Sequence, residues 1–300
     1  MMTELKQKIK HLATATKMDN AWIAGQLGCS QRSVRRHAGE WKSRVLPRYG
    51  QVVTEQDVKA IFLFDAHIPY QDSKAYDLAL SYAKEWQPDE IYLAGDYMDF
   101  KDVSYWKNDP RRMPFVEEVN IGKAFLKDVR SNFPTQKIVY LEGNHEDRLA
   151  RYMWTKAPEL CGIPELSIPT LLQLDKLGIE YVSNVQRMNM GLQPLKLGKL
   201  YVIHGHEVNC STAVVNLART MYLKTHVNTL FGHHHQSQQF IVKKLDNSHE
   251  GSWMVGGLCK LSENYMPSNN WVHGFCTVRY NPTSGYFKVR NKMIIDNQVL

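Results

Sequence analysis

The chain has 300 residues, 43% of them apolar and 22% charged, the balance of a soluble globular protein with room for two cores. No run approaches the roughly 20 apolar residues of a membrane span, and the Lys-rich opening MMTELKQKIK lacks the apolar core of a secretory signal, so a cytoplasmic protein with no membrane partner is expected. Net charge is +7, and residues 1–50 hold ten Lys and Arg against three acids, so the whole excess lies there, as in a module that binds a polyanion.

Residues 1–50 read as a small all-α domain. Leu5, Ile9 and Leu12 share one helix face. Asp19 is placed to cap a second helix over 20–27, which Gly28 ends, and Ser30 to cap a third that runs to about His37. Gly39, Pro47 and Gly50 mark 39–55 as a linker. From Gln51 the texture changes. Apolar runs at 60–64, 91–94, 137–141, 200–204 and 229–233 have the length and the β-branched and aromatic content of buried strands. Helical patterns at 73–86 and 116–133 separate the first three, which predicts a parallel sheet covered by helices. The Pro-containing stretch 150–197 reads as helices and loops. After residue 235 only strand patterns follow, near 238–245, 252–257, 272–280 and 286–294. The expected fold class is α/β: a β-sandwich flanked by helices over 51–300, preceded by the all-α domain.

Five polar clusters fall just after predicted strands: Asp65-Ala66-His67, Gly95-Asp96-Tyr97-Met98-Asp99, Gly143-Asn144-His145-Glu146, His204-Gly205-His206 and Gly232-His233-His234-His235. They hold seven of the twelve histidines. Residues at the carboxyl ends of strands in an open α/β sheet converge on one crevice. Imidazoles, carboxylates and one amide, without thiolates, suit Mn, Fe or Zn. The five cysteines form no C-x-x-C pair, and scattered reduced thiols are expected. Residues two apart in a strand point the same way, so Asp65 and His67 are expected to reach one ion from an extended strand end.

In this order, D-x-H, GDxxD, GNHE, HGH and GHxH resemble the calcineurin-like metallophosphoesterases, over residues 65–235. The resemblance implies a dinuclear site holding two divalent ions, Mn, Fe or Zn. Asp65, His67 and His235 match ligands of the first ion, Asp96 the bridging carboxylate, and Asn144, His204 and His233 ligands of the second. His145 matches the residue that binds the phosphoryl group or protonates the leaving oxygen, and Asp99 the acid that orients it. Many phosphoprotein phosphatases of the superfamily carry Arg directly after GDxxD. Here Phe100 stands there, which favours a diester substrate, and Arg148 is either a substitute cation or a residue of the following helix. The block 143–172 is similar to that of bacteriophage-encoded metallophosphoesterases.

The segment WIAGQLGCSQRSVRRHAGEW resembles the helix-turn-helix of resolvase-type and phage regulatory proteins. Ala24 lets two helices approach, Gly28 makes the turn and Val34 fills the shared core. Gln31, Arg32, Arg35 and Arg36 are expected on the solvent side, placed for DNA phosphates or base edges. Such modules often work in pairs, so a homodimer is compatible with the resemblance. Together the two parts point to a metal-dependent DNA phosphodiesterase or nuclease. The alternatives are a phosphomonoesterase and a DNA-binding regulator with a scaffold domain.

Overall fold

The computed structural model describes residues 5, 7–9, 20–34, 57–105, 113–183, 194–210, 215–262 and 268–300. The chain forms two units, Met1–Glu55 and Gln56–Leu300. In the first, Ile9, Ile23, Ala24 and Val34 bury against one another, with Leu5, Leu27 and Cys29 packed around them. Residues 7–9 are helical, α1 spans Asn20–Leu27, and the chain turns at Gly28 with φ 60°. The Oγ of Ser30 then accepts from the Ser33 backbone N–H at 3.2 Å, an N-cap that starts a helical turn at 31–34. Gln31 and Arg32 are exposed. Leu12, Asp19, Arg35, Arg36, His37 and the expected linker at 39–55 lie outside the described residues.

In the second unit, alternate residues of β1 (Val58–Leu63) serve different cores. Ala60 and Phe62, continued by Phe64, join one apolar cluster, while Ile61 and Leu63 join another. This two-residue period uses both faces of the strand. The same division continues through β2 (Glu90–Ala94) and β3 (Lys137–Leu141), where Tyr92 and Val139 face one cluster and Leu93 and Ile138 the other. The outer cluster is closed by α2 (Ser73–Trp86), which buries Ala75, Tyr76, Ala79, Leu80 and Ala83 at helical spacing, and by α3 (Phe115–Asn132). Asp72 caps α2 by accepting from the Ala75 N–H at 2.9 Å.

The chain continues through α4 (Asp147–Lys156), α5 (Ile168–Leu171) and short 3-10 turns to β4 (Ile179–Val182), then β5 (Leu195–Leu197), β6 (Leu200–Val202), α6 (Leu217–Thr225) and β7 (Thr229–Phe231). It ends with β8 (Gln238–Lys243), β9 (His249–Met254), β10 (His273–Tyr280), β11 (Phe287–Ile295) and β12 (Gln298–Val299). Among the described residues these strands form a sheet ordered β12-β11-β10-β1-β2-β3-β4 and a second ordered β5-β6-β7-β9-β8. The first is parallel from β1 to β4 and antiparallel beyond β1, where Phe62 pairs with Cys276. The inner cluster, with Leu200, Val202, Leu230 and Trp253, lies between the sheets, and α6 covers the outside of the second. The architecture is thus mixed α/β, two facing sheets with helices outside.

One reading is corrected. The stretch 150–197 contains β4 and β5 as well as helices and loops. β4 is a four-residue edge strand with only Ile179 buried, too short and too exposed to leave an apolar run. The helix α6 leaves little apolar pattern, since only Leu217, Ala218 and Met221 of its nine residues are buried.

Candidate metal centre

Each of the five polar clusters leaves a strand at one edge of the two sheets. Asp65 and His67 follow β1, Asp96 and Asp99 follow β2, Asn144 and His145 follow β3, His204 follows β6, and His233 to His235 follow β7. The backbone there is not extended. Asp65, His67, Asp96, Phe100, His233 and His235 all have φ between 49° and 68°. The Asp-x-His pair therefore converges through a left-handed turn, which corrects the strand-face explanation. Such conformations cost non-glycine residues roughly 1–3 kcal/mol each and persist where surrounding bonds over-determine them. Here the Asp65 N–H donates to Gly95 O at 3.2 Å, His67 N–H to Asp96 O at 3.0 Å, and His233 N–H to Asp65 Oδ2 at 2.9 Å.

Two glycines permit this approach. A Cβ on Gly95 would collide with the His204 ring, and one on Gly143 with the Asp96 carboxylate. Glu146 then ties the loops together. Its buried carboxylate accepts from the backbone of Asp96 (3.1 Å), Met98 (2.9 Å) and Gly143 (2.9 Å) and from the Tyr140 hydroxyl (2.7 Å). Sequence reasoning gave Glu146 no role. The signal was its place in the GNHE block, three residues after Gly143, whose N–H it accepts.

The side chains meet around two carboxylates. Asp65 Oδ1 lies 3.4 Å from His235 Nε2, 3.8 Å from His204 Nε2 and 4.0 Å from His67 Nε2. Asp96 Oδ2 lies 3.1 Å from His204 Nε2, 3.7 Å from His145 Nε2 and 4.0 Å from His67 Nε2. The Nε2 atoms of His67 and His235 face each other at 3.2 Å. The rings of His204 and His233 are 5.2 Å apart.

Asp99, Arg148, Cys259 and Trp271 stand behind these atoms. Asp99 Oδ1 stands 3.0 Å from both His67 Nδ1 and His145 Nδ1. Arg148 donates from Nη1 to Asp99 O at 2.7 Å and from Nη2 to His145 Nε2 at 2.8 Å. Cys259 Sγ lies 3.5 Å from His235 Nδ1, and the Trp271 ring stands 4.4 Å from the His235 ring. Neither Cys259 nor Trp271 was singled out from the sequence, because each lies in a loop far from the five blocks. Phe100 is fully buried and its N–H bonds to Glu118 Oε1, so it cannot contact a ligand. His206 and His234 line the region, with the His206 ring 5.4 Å from that of His204 and the His234 ring 4.8 Å from that of His233.

Electrostatics match this arrangement. Burial opposes the charge on Asp65 and Asp96, yet the adjacent histidines outweigh it and hold both carboxyls below their ordinary range. Burial would push His204 down, but Asp96 and Asp65 raise it to about 10. Burial, with Asp65 and Cys259 opposing it and prevailing, leaves His235 well above its usual value. Burial and the charge of His204 lower His233 to about 3. Burial and His145 likewise lower His67.

These residues fit divalent ions. Asp65 Oδ1, Asn144 Oδ1, His204 Nε2 and His233 Nδ1 are buried without a hydrogen bond, an arrangement that costs free energy unless a ligand satisfies it. Ligand atoms about 2.1 Å from an ion stand about 3.0–3.4 Å from one another. The separations of 3.1, 3.2 and 3.4 Å for His204–Asp96, His67–His235 and His235–Asp65 have that spacing. Asp96, His204 and His233 form one group able to hold an ion, and Asp65, His67 and Asp96 another. No thiolate is needed in either.

No family model matches the chain. The gene 54 protein of Mycobacterium phage L5 is 23% identical over 186 residues, 59% of this chain and 69% of that protein. The gene 54 protein of Mycobacterium phage D29 is 26% identical over 140 residues, 44% of this chain and 54% of that protein, so the match spans about half of the second relative. Similar solved structures include Vacuolar Protein Sorting 29 from Cryptosporidium parvum, at 10% identity and a TM-score of 0.39, covering 82% of this chain and 96% of that one. Vps29 of Chaetomium thermophilum gives 11% identity and the same TM-score of 0.39, covering 81% and 95%.

Proposed function

We propose that the chain is a dinuclear-metal phosphoesterase that acts on DNA as a phosphodiesterase or nuclease. The observation that carries this reading is the set of four buried ligand atoms without a hydrogen bond, Asp65 Oδ1, Asn144 Oδ1, His204 Nε2 and His233 Nδ1, which come from four different strand ends. Asp65, His67 and His235 would hold one ion, Asn144, His204 and His233 the other, with Asp96 between them. Manganese, iron and zinc all suit this donor set. When bound, two such ions supply hydroxide from water near neutral pH and neutralise charge on the phosphoryl oxygens.

The remaining steps belong to side chains. His145 donates from Nδ1 to Asp99, which fixes the ring with Nε2 toward the site. His145 Nε2 and Arg148 Nη2 are then the groups beside Asp96 that can hold a phosphoryl oxygen, and His145 can protonate the leaving oxygen once Nε2, which accepts from Arg148 here, has itself taken up a proton. The +7 charge confined to residues 1–50 supports delivery to DNA by a helix-turn-helix, with Gln31, Arg32, Arg35 and Arg36 facing it and pairing as a homodimer. The two phage relatives support a phage origin and the host cytoplasm as the location. No described helix is long and apolar enough to cross a membrane.

Arg148 favours a second reading, a phosphomonoesterase, since its guanidinium lies where it would meet the extra charge of a monoester. The test is cleavage of linear and circular DNA with Mn²⁺ by the native chain and by Asp96→Asn. Cutting that the variant loses supports the nuclease. Hydrolysis of an aryl phosphate without DNA cleavage would replace it with the monoesterase.

A further inference from the structure

A trough opens beside the metal centre at the same edge of the first sheet. Its two lobes, of about 540 and 750 Å³, share Asp72, Leu261, Trp271 and His273. The location follows from topology. β10 runs antiparallel to β1, so its first residue, His273, stands at the edge from which Asp65 and His67 emerge. β11 runs back to that edge and delivers Asp296, and the capped start of α2 delivers Asp72.

The wall of this trough is fastened to the ligand loop. The Val272 N–H donates to His235 O at 2.8 Å, and Gln236 Nε2 donates to Asn270 Oδ1 at 2.9 Å. Asn269 accepts from the Trp271 N–H at 3.0 Å and donates to Leu261 O at 2.7 Å, bracing both sides. His273 Nε2 donates to Cys259 O at 2.9 Å. Trp271 is thus a held aromatic surface one ring away from His235.

We propose that this trough binds the nucleoside of a phosphoester whose phosphate lies at the metal centre, with the base stacked on Trp271. The size is that of a small-ligand site. The lining decides the class. Lys74 and Lys260 supply donors and Asp72 and Asp296 supply acceptors, so the charges of the lining balance. A groove for a run of phosphates would carry cations alone. A base instead needs a π-surface together with both donors and acceptors. The site therefore takes one nucleoside, from a free nucleotide or a strand end, and the proposal rests on the phosphoesterase reading only for the position of the phosphate.

The test compares affinities for AMP and inorganic phosphate by isothermal titration of the full Mn²⁺-loaded chain. AMP is expected to bind about tenfold more tightly, the scale of one base on one aromatic ring. Trp271→Ala should erase that margin and Trp271→Phe retain most of it. Equal affinity for the two ligands, or a margin that survives Trp271→Ala, would overturn the site. The readout needs no turnover. A Trp271-dependent margin in a chain that hydrolyses no ester keeps the nucleoside site and removes the phosphoesterase. Competition of AMP by a short oligothymidylate assigns the nucleoside to a strand end, and its absence to a free nucleotide.

Discussion

Asp99 Oδ1 lies 3.0 Å from His145 Nδ1, and the same oxygen lies 3.0 Å from His67 Nδ1. One carboxylate thereby sets two imidazoles, that of His145 beside the proposed phosphoryl position and that of His67 among the proposed ligands. Burial opposes its charge, but both histidines hold its carboxyl far below the usual range. Asp99→Asn keeps one acceptor and loses the charge. The expected result is a kcat lower by about 10–100-fold on an aryl phosphate, together with partial loss of bound metal after dialysis. Full metal content with unchanged kcat would remove Asp99 from both roles.

Metal binding should release protons. Without ions His204 is raised to about 10 and His235 stands well above its ordinary value, so both carry a proton at pH 7. His233, lowered to about 3, is already neutral. An ion must displace the protons on the first two, and its apparent affinity should therefore rise as pH goes from 7 toward 10. Titration calorimetry with Mn²⁺ in buffers of different ionisation enthalpy should give a release of about two protons at pH 7. A release near zero would show that these two nitrogens are not ligands.

The five polar blocks were legible because each follows an apolar run, and strand ends in such a sheet share one edge. The facing of Ile61 and Phe62 toward different cores is likewise local alternation. Pairing of β1 with β10 was not legible, since Phe62 and Cys276 are far apart in the chain and nothing local couples them. Nor were the left-handed turns at Asp65, His67 and Asp96, which no glycine or asparagine marks. They hold because tertiary bonds such as those to Glu146 outweigh local preference. Cys259 and Trp271 became part of the site only through folding, which sets their loops against His235.

Glu118 should make the chain less stable as pH rises. Burial and the nearby charge of Asp99 raise its carboxyl to about 8. Between an unfolded value near 4.5 and that folded value, the folded state holds the extra proton, so stability falls with pH and levels off above 8. Glu118→Gln keeps an acceptor for the Phe100 N–H and removes the titration. Melting curves at pH 5 and pH 8.5 should show the native Tm dropping by several degrees more than the variant's, at about 2–4 °C per kcal/mol for a domain of this size. Parallel shifts in the two proteins would show that Glu118 stays charged throughout.

Among the described residues of the N-terminal unit, Ile9, Ile23, Ala24 and Val34 bury against one another, with a few partly buried neighbours. Gln31 and Arg32 stand exposed at the start of the helical turn 31–34, just past the Ser30 cap. If this surface meets DNA phosphates, each arginine adds a counterion-release term. Arg32→Ala in an Asp96→Asn background, where no strand is cut, should weaken binding to a short duplex and flatten the salt dependence of log K by about one. The effect should be similar for unrelated duplex sequences, because a phosphate contact carries no base code. Fluorescence anisotropy across a salt series reads both quantities. An unchanged slope with unchanged affinity would take Arg32 out of the interface. A loss confined to one duplex sequence would instead mean that the arginine reads a base edge.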